Sequence, residues 1–130
     1  MMSGGAEAVA SGQSLENEVV RVAASLGLRV ETQVRVGRRI WGAVRKIDVV
    51  LKDPTTRVSL GIECKFQKTS GTAEEKIHAT IRDMDAWPIR GIVVYSGPGF
   101  SENMKAFLLS TGKAVDLEDL ETWLRLYFGL

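Results

Sequence analysis

Two short apolar runs carry the residues whose types and spacing suit chemistry. Ile47-Asp48-Val49-Val50-Leu51 is a β-branched run holding one acid. Leu60-Gly61-Ile62-Glu63-Cys64-Lys65-Phe66-Gln67-Lys68 alternates with period two, as a half-buried strand does. Leu60, Ile62, Cys64 and Phe66 are expected to face a core, together with Ile47, Val49 and Leu51. Gly61, Glu63, Lys65 and Gln67 are expected on the opposite side. A carboxylate beside an ammonium on one strand face makes a poor core and a good charged site. Between the runs, Lys52-Asp53-Pro54-Thr55-Thr56-Arg57 reads as a turn: Pro54 presets φ, and Asp53 and Thr55 can bond nearby backbone. Folding the chain back between Thr55 and Thr56 sets Asp48 opposite Glu63, with Cβ atoms roughly 4.5–5.5 Å apart. Two carboxylates that close repel unless a proton or a cation lies between them. Such a pair suits Mg²⁺, with Mn²⁺ as a substitute, because these ions take few protein carboxylates and keep several waters. The plainer alternative is a salt bridge across a hairpin, and exposed pairs of that kind contribute about 0–1 kcal/mol.

Asp48, fourteen intervening residues and then Glu63-Cys64-Lys65 resembles the signature of the PD-(D/E)XK nuclease superfamily, with Ile47 where the pattern has proline. The resemblance covers roughly residues 14 to 96. The N-terminal part is similar to the archaeal-type Holliday junction resolvases, small dimeric enzymes that open with a helix bearing a functional glutamate. In them a glycine ends the helix eleven residues later, and Glu16 and Gly27 match that spacing. Gly71-Thr72-Ala73-Glu74-Glu75-Lys76-Ile77 instead resembles phage and restriction-type members. The resemblance implies an α/β fold with a restriction-endonuclease-like αβββαβ core, a mixed central sheet flanked by helices. It also implies hydrolysis of DNA phosphodiesters. Asp48, Glu63 and the backbone carbonyl of Cys64 would hold the metal, with Glu16 completing the coordination directly or through water. Lys65 would orient or help deprotonate the attacking water. Gln67, on the same strand face, would align that water or the scissile phosphate.

These residues need elements to position them. Met1 to Gln13 is small, polar and glycine-rich, and is expected to be a disordered arm before a single domain over residues 14–130. Ser14 is the expected cap of a helix whose stripe is Leu15, Val19, Val22, Ala23 and Leu26, with Gly27 as its stop. Glu16 and Glu18 flank that stripe on opposite sides, and periodicity does not choose between them; the resemblance chooses Glu16. Both also suit the positive end of the helix dipole. Leu28 to Val36 alternates, with Leu28, Val30, Thr32, Val34 and Val36 on one face. After the turn Gly37-Arg38-Arg39, a second strand runs from Ile40 to Leu51. Between Thr32 and Ile47 stand Arg35, Arg38, Arg39, Arg45 and Lys46 and no acid, a basic strip able to hold a phosphate backbone. Lys68 and Lys76 extend it. Trp41 suits first a cover for the sheet edge, and as the alternative a DNA contact by stacking on an unpaired base.

Further on, Thr72 is the expected cap, with a capping box, of a helix to about Ala86 that buries Ile77, Ile81 and Met84. Ile89 to Tyr95 reads as a strand parallel to the motif strand. Ser96-Gly97-Pro98-Gly99 follows as a loop or tight turn. Ser101 caps a helix through Leu109, Lys113 to Val115 suits an edge strand, and Asp116 to Phe128 a final helix. Its stripe is Leu117, Leu120, Leu124 and Tyr127. Trp123, Leu126 and Phe128 lie outside it, and that apolar surface predicts a homodimer.

Composition sets the bounds. The 130 residues, 45% hydrophobic and 25% charged, fit one globular domain. A net charge of +1 says little about nucleic acid; the local strip says more. The single Cys64 cannot form an internal disulfide, and no apolar run reaches the length of a membrane span. Cytoplasm is the expected location, or host cytoplasm if the chain is phage-encoded. The expected activity is a metal-dependent endonuclease acting on DNA, foremost a four-way junction cut by a homodimer. A restriction-type or phage DNA-degrading endonuclease is the alternative, and a DNA-binding module without catalysis a second.

Overall fold

A computed structural model describes residues 9–39, 42–69 and 74–130, with side chains at 74 and 75 outside that description. In chain order the elements are α1 (Gly12–Ser25), β1 (Arg29–Arg38), β2 (Val44–Lys52), β3 (Ser59–Phe66), α2 (Glu74–Met84), β4 (Gly91–Ser96), α3 (Glu102–Ser110) and β5 (Ala114–Asp116). A 3-10 turn, Leu117–Asp119, then leads into α4 (Leu120–Phe128). The strands form one sheet in the order β1-β2-β3-β4-β5. The first two pairings are antiparallel and the last two parallel, so α2 is the crossover between β3 and β4. This is the mixed, helix-flanked sheet of a restriction-endonuclease-like fold.

Two apolar layers sandwich the sheet. On one face α1 and α4 bring Leu15, Val19, Leu120, Leu124 and Phe128 onto Val49, Leu51, Leu60, Ile62 and Val94. On the other, α2 and α3 bring Ile77, Met84, Met104 and Leu108, with Trp87, onto Ile47, Val93 and Tyr95. The Trp87 indole lies flat enough on the sheet that only glycine fits beneath it. A Cβ on Gly61 would stand 2.8 Å from the ring and one on Gly91 2.6 Å.

The turn between β2 and β3 works as its residues dictate. Asp53, 6% exposed, accepts hydrogen bonds from the backbone of Thr55 at 2.8 Å and Thr56 at 3.3 Å. That turn fixes the register Val49↔Ile62, Val50↔Gly61, Leu51↔Leu60 and Lys52↔Ser59, the one read from the sequence.

Other expectations shift. The cap of α1 is Ser11, and Ser14 is its reciprocal partner in a capping box, so the helix starts at Gly12. The 3-10 turn rotates the stripe of α4: Leu120, Leu124 and Phe128 are buried, and Tyr127 stacks on Trp123 at its edge. Of the apolar surface expected to be free, only Leu126 stands out, at 80% exposure. Trp41 and the Thr72 cap lie outside the described residues.

Candidate active site

Strict alternation fails at one place, and the site is built there. Val49 and Leu51 face the α1 layer, as their spacing requires, but Ile47 faces the α2 layer beside Trp87 and Gly61. This corrects the expectation that all three share a face. In β1, Thr32 pairs with Val49 and Val34 with Ile47, so these residues change faces together. The slip falls on Gln33 and Asp48. Gln33 takes φ +53°, left-handed backbone that costs a non-glycine residue about 1–2 kcal/mol. Asp48, with neighbours on opposite faces, directs its carboxylate along the sheet toward β3. The β2–β3 ladder ends at Val49↔Ile62, and Asp48 Oδ2 accepts the next amide, Cys64 N–H, at 2.9 Å. A charged side chain thus replaces a ladder carbonyl.

Glu63 and Lys65 stand on the α2 side of β3, paired at 3.5 Å between Oε2 and Nζ. They line a cavity of about 360 Å³ with Arg39, Ala79, Thr80, Asp83 and Trp87. Burial, then the Asp48 charge, push the Glu63 carboxyl up to about 7 against the pull of Lys65. The Asp48 charge therefore lies close enough to oppose ionisation of Glu63. Burial, with Asp48 next, also pushes the Cys64 thiol up, which leaves it neutral and inert.

Glu16 and Glu18 separate cleanly. Glu18 is bound to Arg21 on its own helix, 2.6 Å from Nη2. Glu16 faces the sheet, where the Gln33 amide donates to Glu16 Oε1 at 3.1 Å and Asp48 Oδ1 at 3.5 Å. The amide lies between these two acids.

Gln67 is engaged by the 96–99 loop. β3 ends at Phe66, and Gln67 lies just beyond it. Its side chain is 9% exposed and donates to the Gly99 carbonyl at 3.0 Å. The glycines of the 96–99 loop serve this packing: a Cβ at Gly97 or Gly99 would strike the backbone of Gln67 or Thr69. Here Gln67 anchors a loop and does not present its amide nitrogen to the Glu63–Lys65 cavity.

The basic strip divides in two. Arg45, 19% exposed, and Arg39, 53% exposed, both pair with Asp83 of α2, at 3.1 and 3.3 Å. These arginines clamp the β1–β2 hairpin onto the helix, a role the sequence reading did not give them. Arg38 donates to the Gly42 carbonyl at 2.8 Å across the hairpin end. Arg35 and Lys46 are exposed cross-strand partners on the α1 side, the side of Glu16. Lys68 and Lys76 are exposed. Gln33, Asp83 and Trp87 were missed by the sequence reading, for no local pattern sets them apart.

A family model described as a PD-(D/E)XK nuclease superfamily domain matches residues 7–124. The chain belongs to the PD-(D/E)XK nuclease superfamily. Members generally use divalent metal ions. Among solved structures, protein VC1899 from Vibrio cholerae matches with a TM-score of 0.62 and 18% identity, over 91% of this chain and 34% of its own. AF1548, described as a protein of unknown function, matches with a TM-score of 0.53 and 21% identity, over 78% and 56%. The MspJI restriction endonuclease in complex with a 27-mer oligonucleotide gives 0.40 and 19%, over 90% and 32%. The chain spans about half of AF1548 and a third of VC1899. At these identities the likeness to VC1899 and AF1548 is one of fold. No curated protein matches.

The donors fit a hard divalent cation. Asp48 and Glu63 offer carboxylate oxygens, and a cation would neutralise the Asp48 charge that, after burial, pushes Glu63 up. Among the described residues no three His, Cys, Asp or Glu side chains are grouped to hold an ion. Two carboxylates suffice for Mg²⁺, which keeps several waters. Glu16 stands one amide away from that pair. Among the described residues, no helix is long and apolar enough to cross a membrane.

Proposed function

We propose that this chain is a divalent-metal-dependent endonuclease that hydrolyses DNA phosphodiesters. Mg²⁺ is the proposed ion, with Mn²⁺ able to replace it. The observation that carries the reading is the juncture of Asp48 and Glu63, where one acid closes the ladder and its charge helps hold the other up to about 7. The two carboxylates and the Cys64 carbonyl would hold the ion, and Glu16 would act from behind the Gln33 amide. When bound, the ion supplies an acidified water and draws charge from a non-bridging phosphate oxygen. Lys65, on the same strand face as Glu63, orients the attacking water and offsets charge that develops on the phosphate. Arg35 and Lys46, exposed on the Glu16 side, hold the DNA backbone; Lys68 and Lys76 add to that field.

The favoured substrate is a four-way junction, on the strength of the Glu16-to-Gly27 helix resembling that of junction resolvases. Paired cuts would need two copies, so a homodimer is part of the proposal. A sedimentation mass of one chain at micromolar concentration would remove it. The deciding experiment incubates junction, flap, single-strand and duplex DNA with the protein in Mg²⁺ or Ca²⁺. Cutting in Mg²⁺ and binding without efficient cutting in Ca²⁺ is expected, because the looser Ca²⁺ geometry activates water poorly. Equal rates in both ions contradict the mechanism. A plain duplex cut as fast as the junction turns the reading to a restriction-type or phage enzyme.

A further inference from the structure

Gln33 combines three features that packing does not require. Its backbone is left-handed, at φ +53°, in the middle of a strand. It lies where both strands exchange faces, opposite Asp48, so its conformation is half of what turns that carboxylate toward β3. Its side-chain nitrogen donates to Glu16 at 3.1 and 3.3 Å and to Asp48 at 3.5 Å. Asparagine and glycine adopt left-handed backbone more readily than glutamine, but asparagine is shorter by a methylene and glycine has no donor. Leucine, methionine or glutamate at this position could not donate to two acids.

We infer that Gln33 is a positioning residue for the acidic site: its backbone aims Asp48 along the sheet, and its amide ties Asp48 to Glu16. The inference rests on the nuclease reading and adds to it a group outside the Asp48, Glu63 and Lys65 signature. Fixing a ligating carboxylate through a hydrogen bond typically matters 10–100-fold to ion affinity or activity.

The experiment compares the full chain with Gln33→Gly and Gln33→Met. Glycine relieves the left-handed backbone and removes the amide. Methionine keeps the length and the backbone cost and removes only the amide. Thermal unfolding, Mn²⁺ titration by calorimetry and the Mg²⁺ dependence of DNA cleavage are measured on all three. Gln33→Gly should melt at or above the wild type and Gln33→Met at or below it. Both should nevertheless bind Mn²⁺ about tenfold or more weakly and need correspondingly more Mg²⁺ to cut, with KM for DNA unchanged. A merely structural role would make ion affinity follow the melting temperature, in opposite directions for the two variants, and that result overturns the inference. So does wild-type affinity in either variant, and so does tighter binding in Gln33→Met, which would make the amide a competitor of the ion. A wild-type chain that neither binds Mn²⁺ nor cuts DNA overturns the nuclease reading, and this inference falls with it.

Discussion

Replacing Glu63 by glutamine should make the metal-free protein more stable, with a defined pH dependence. The Glu63 carboxyl sits at about 7 against an ordinary 4.5, and its side chain is 21% exposed. Below pH 4.5 it is protonated in both the folded and the unfolded chain. As pH rises from 4.5 to 7 the unfolded chain releases the proton while the fold retains it, so stability is lost across that window. A tenfold step is about 1.36 kcal/mol, so the full loss is up to roughly 3 kcal/mol by pH 8. Glutamine keeps the shape and never ionises. Lys65 is 37% exposed, so losing its partner costs only about 0–1 kcal/mol. The assay is thermal or urea unfolding of wild type and Glu63→Gln in EDTA from pH 5 to 8. The curves should nearly meet at pH 5 and diverge by up to about 3 kcal/mol at pH 8, on the order of 10 °C in Tm. Mn²⁺ should restore the wild type at pH 8 and the variant far less. Parallel curves across the range would refute the placement of Glu63 in a desolvated site beside Asp48.

Asp48→Asn should abolish cleavage and leave Tm nearly unchanged, since its amide oxygen can still accept the Cys64 N–H. Asp48→Ala should abolish cleavage and also lose about 1–3 kcal/mol by orphaning that amide; equal Tm values in the two variants would contradict the bond. Gly61→Ala should destabilise by about 1–3 kcal/mol in urea unfolding, because its Cβ meets the Trp87 ring at 2.8 Å; an unchanged midpoint would contradict that packing. Asp83→Ala should cost about 1–3 kcal/mol through the half-buried Arg45, and should lower the upper end of the Glu63 titration window by removing one nearby negative charge. Unfolding at several pH values checks both.

Much of this was legible because local chemistry governs it. The Asp53 turn sets the hairpin register, and alternation in β3 places Glu63 and Lys65 together. What was not legible depends on tertiary choices. A left-handed glutamine leaves no mark, since only glycine, asparagine or aspartate signals such backbone. Without it the face change at Asp48 is hidden, and Ile47 is assigned to the wrong layer. The basic strip looked uniform because Asp83, the acid that takes up Arg39 and Arg45, lies far along the chain on α2. The engagement of Gln67 by the Gly99 carbonyl was hidden because the loop that accepts it lies far along the chain. A single 3-10 turn before α4 exchanged Phe128 for Tyr127 in the buried stripe.

The central claim is that Asp48 and Glu63 tolerate each other by holding a divalent ion. Crystals grown with millimolar Mn²⁺, measured at the manganese absorption edge, test it directly. The account predicts an anomalous peak between the carboxylates of Asp48 and Glu63 that is lost in Asp48→Asn. No peak there at saturating Mn²⁺, or one that survives the substitution, would contradict it.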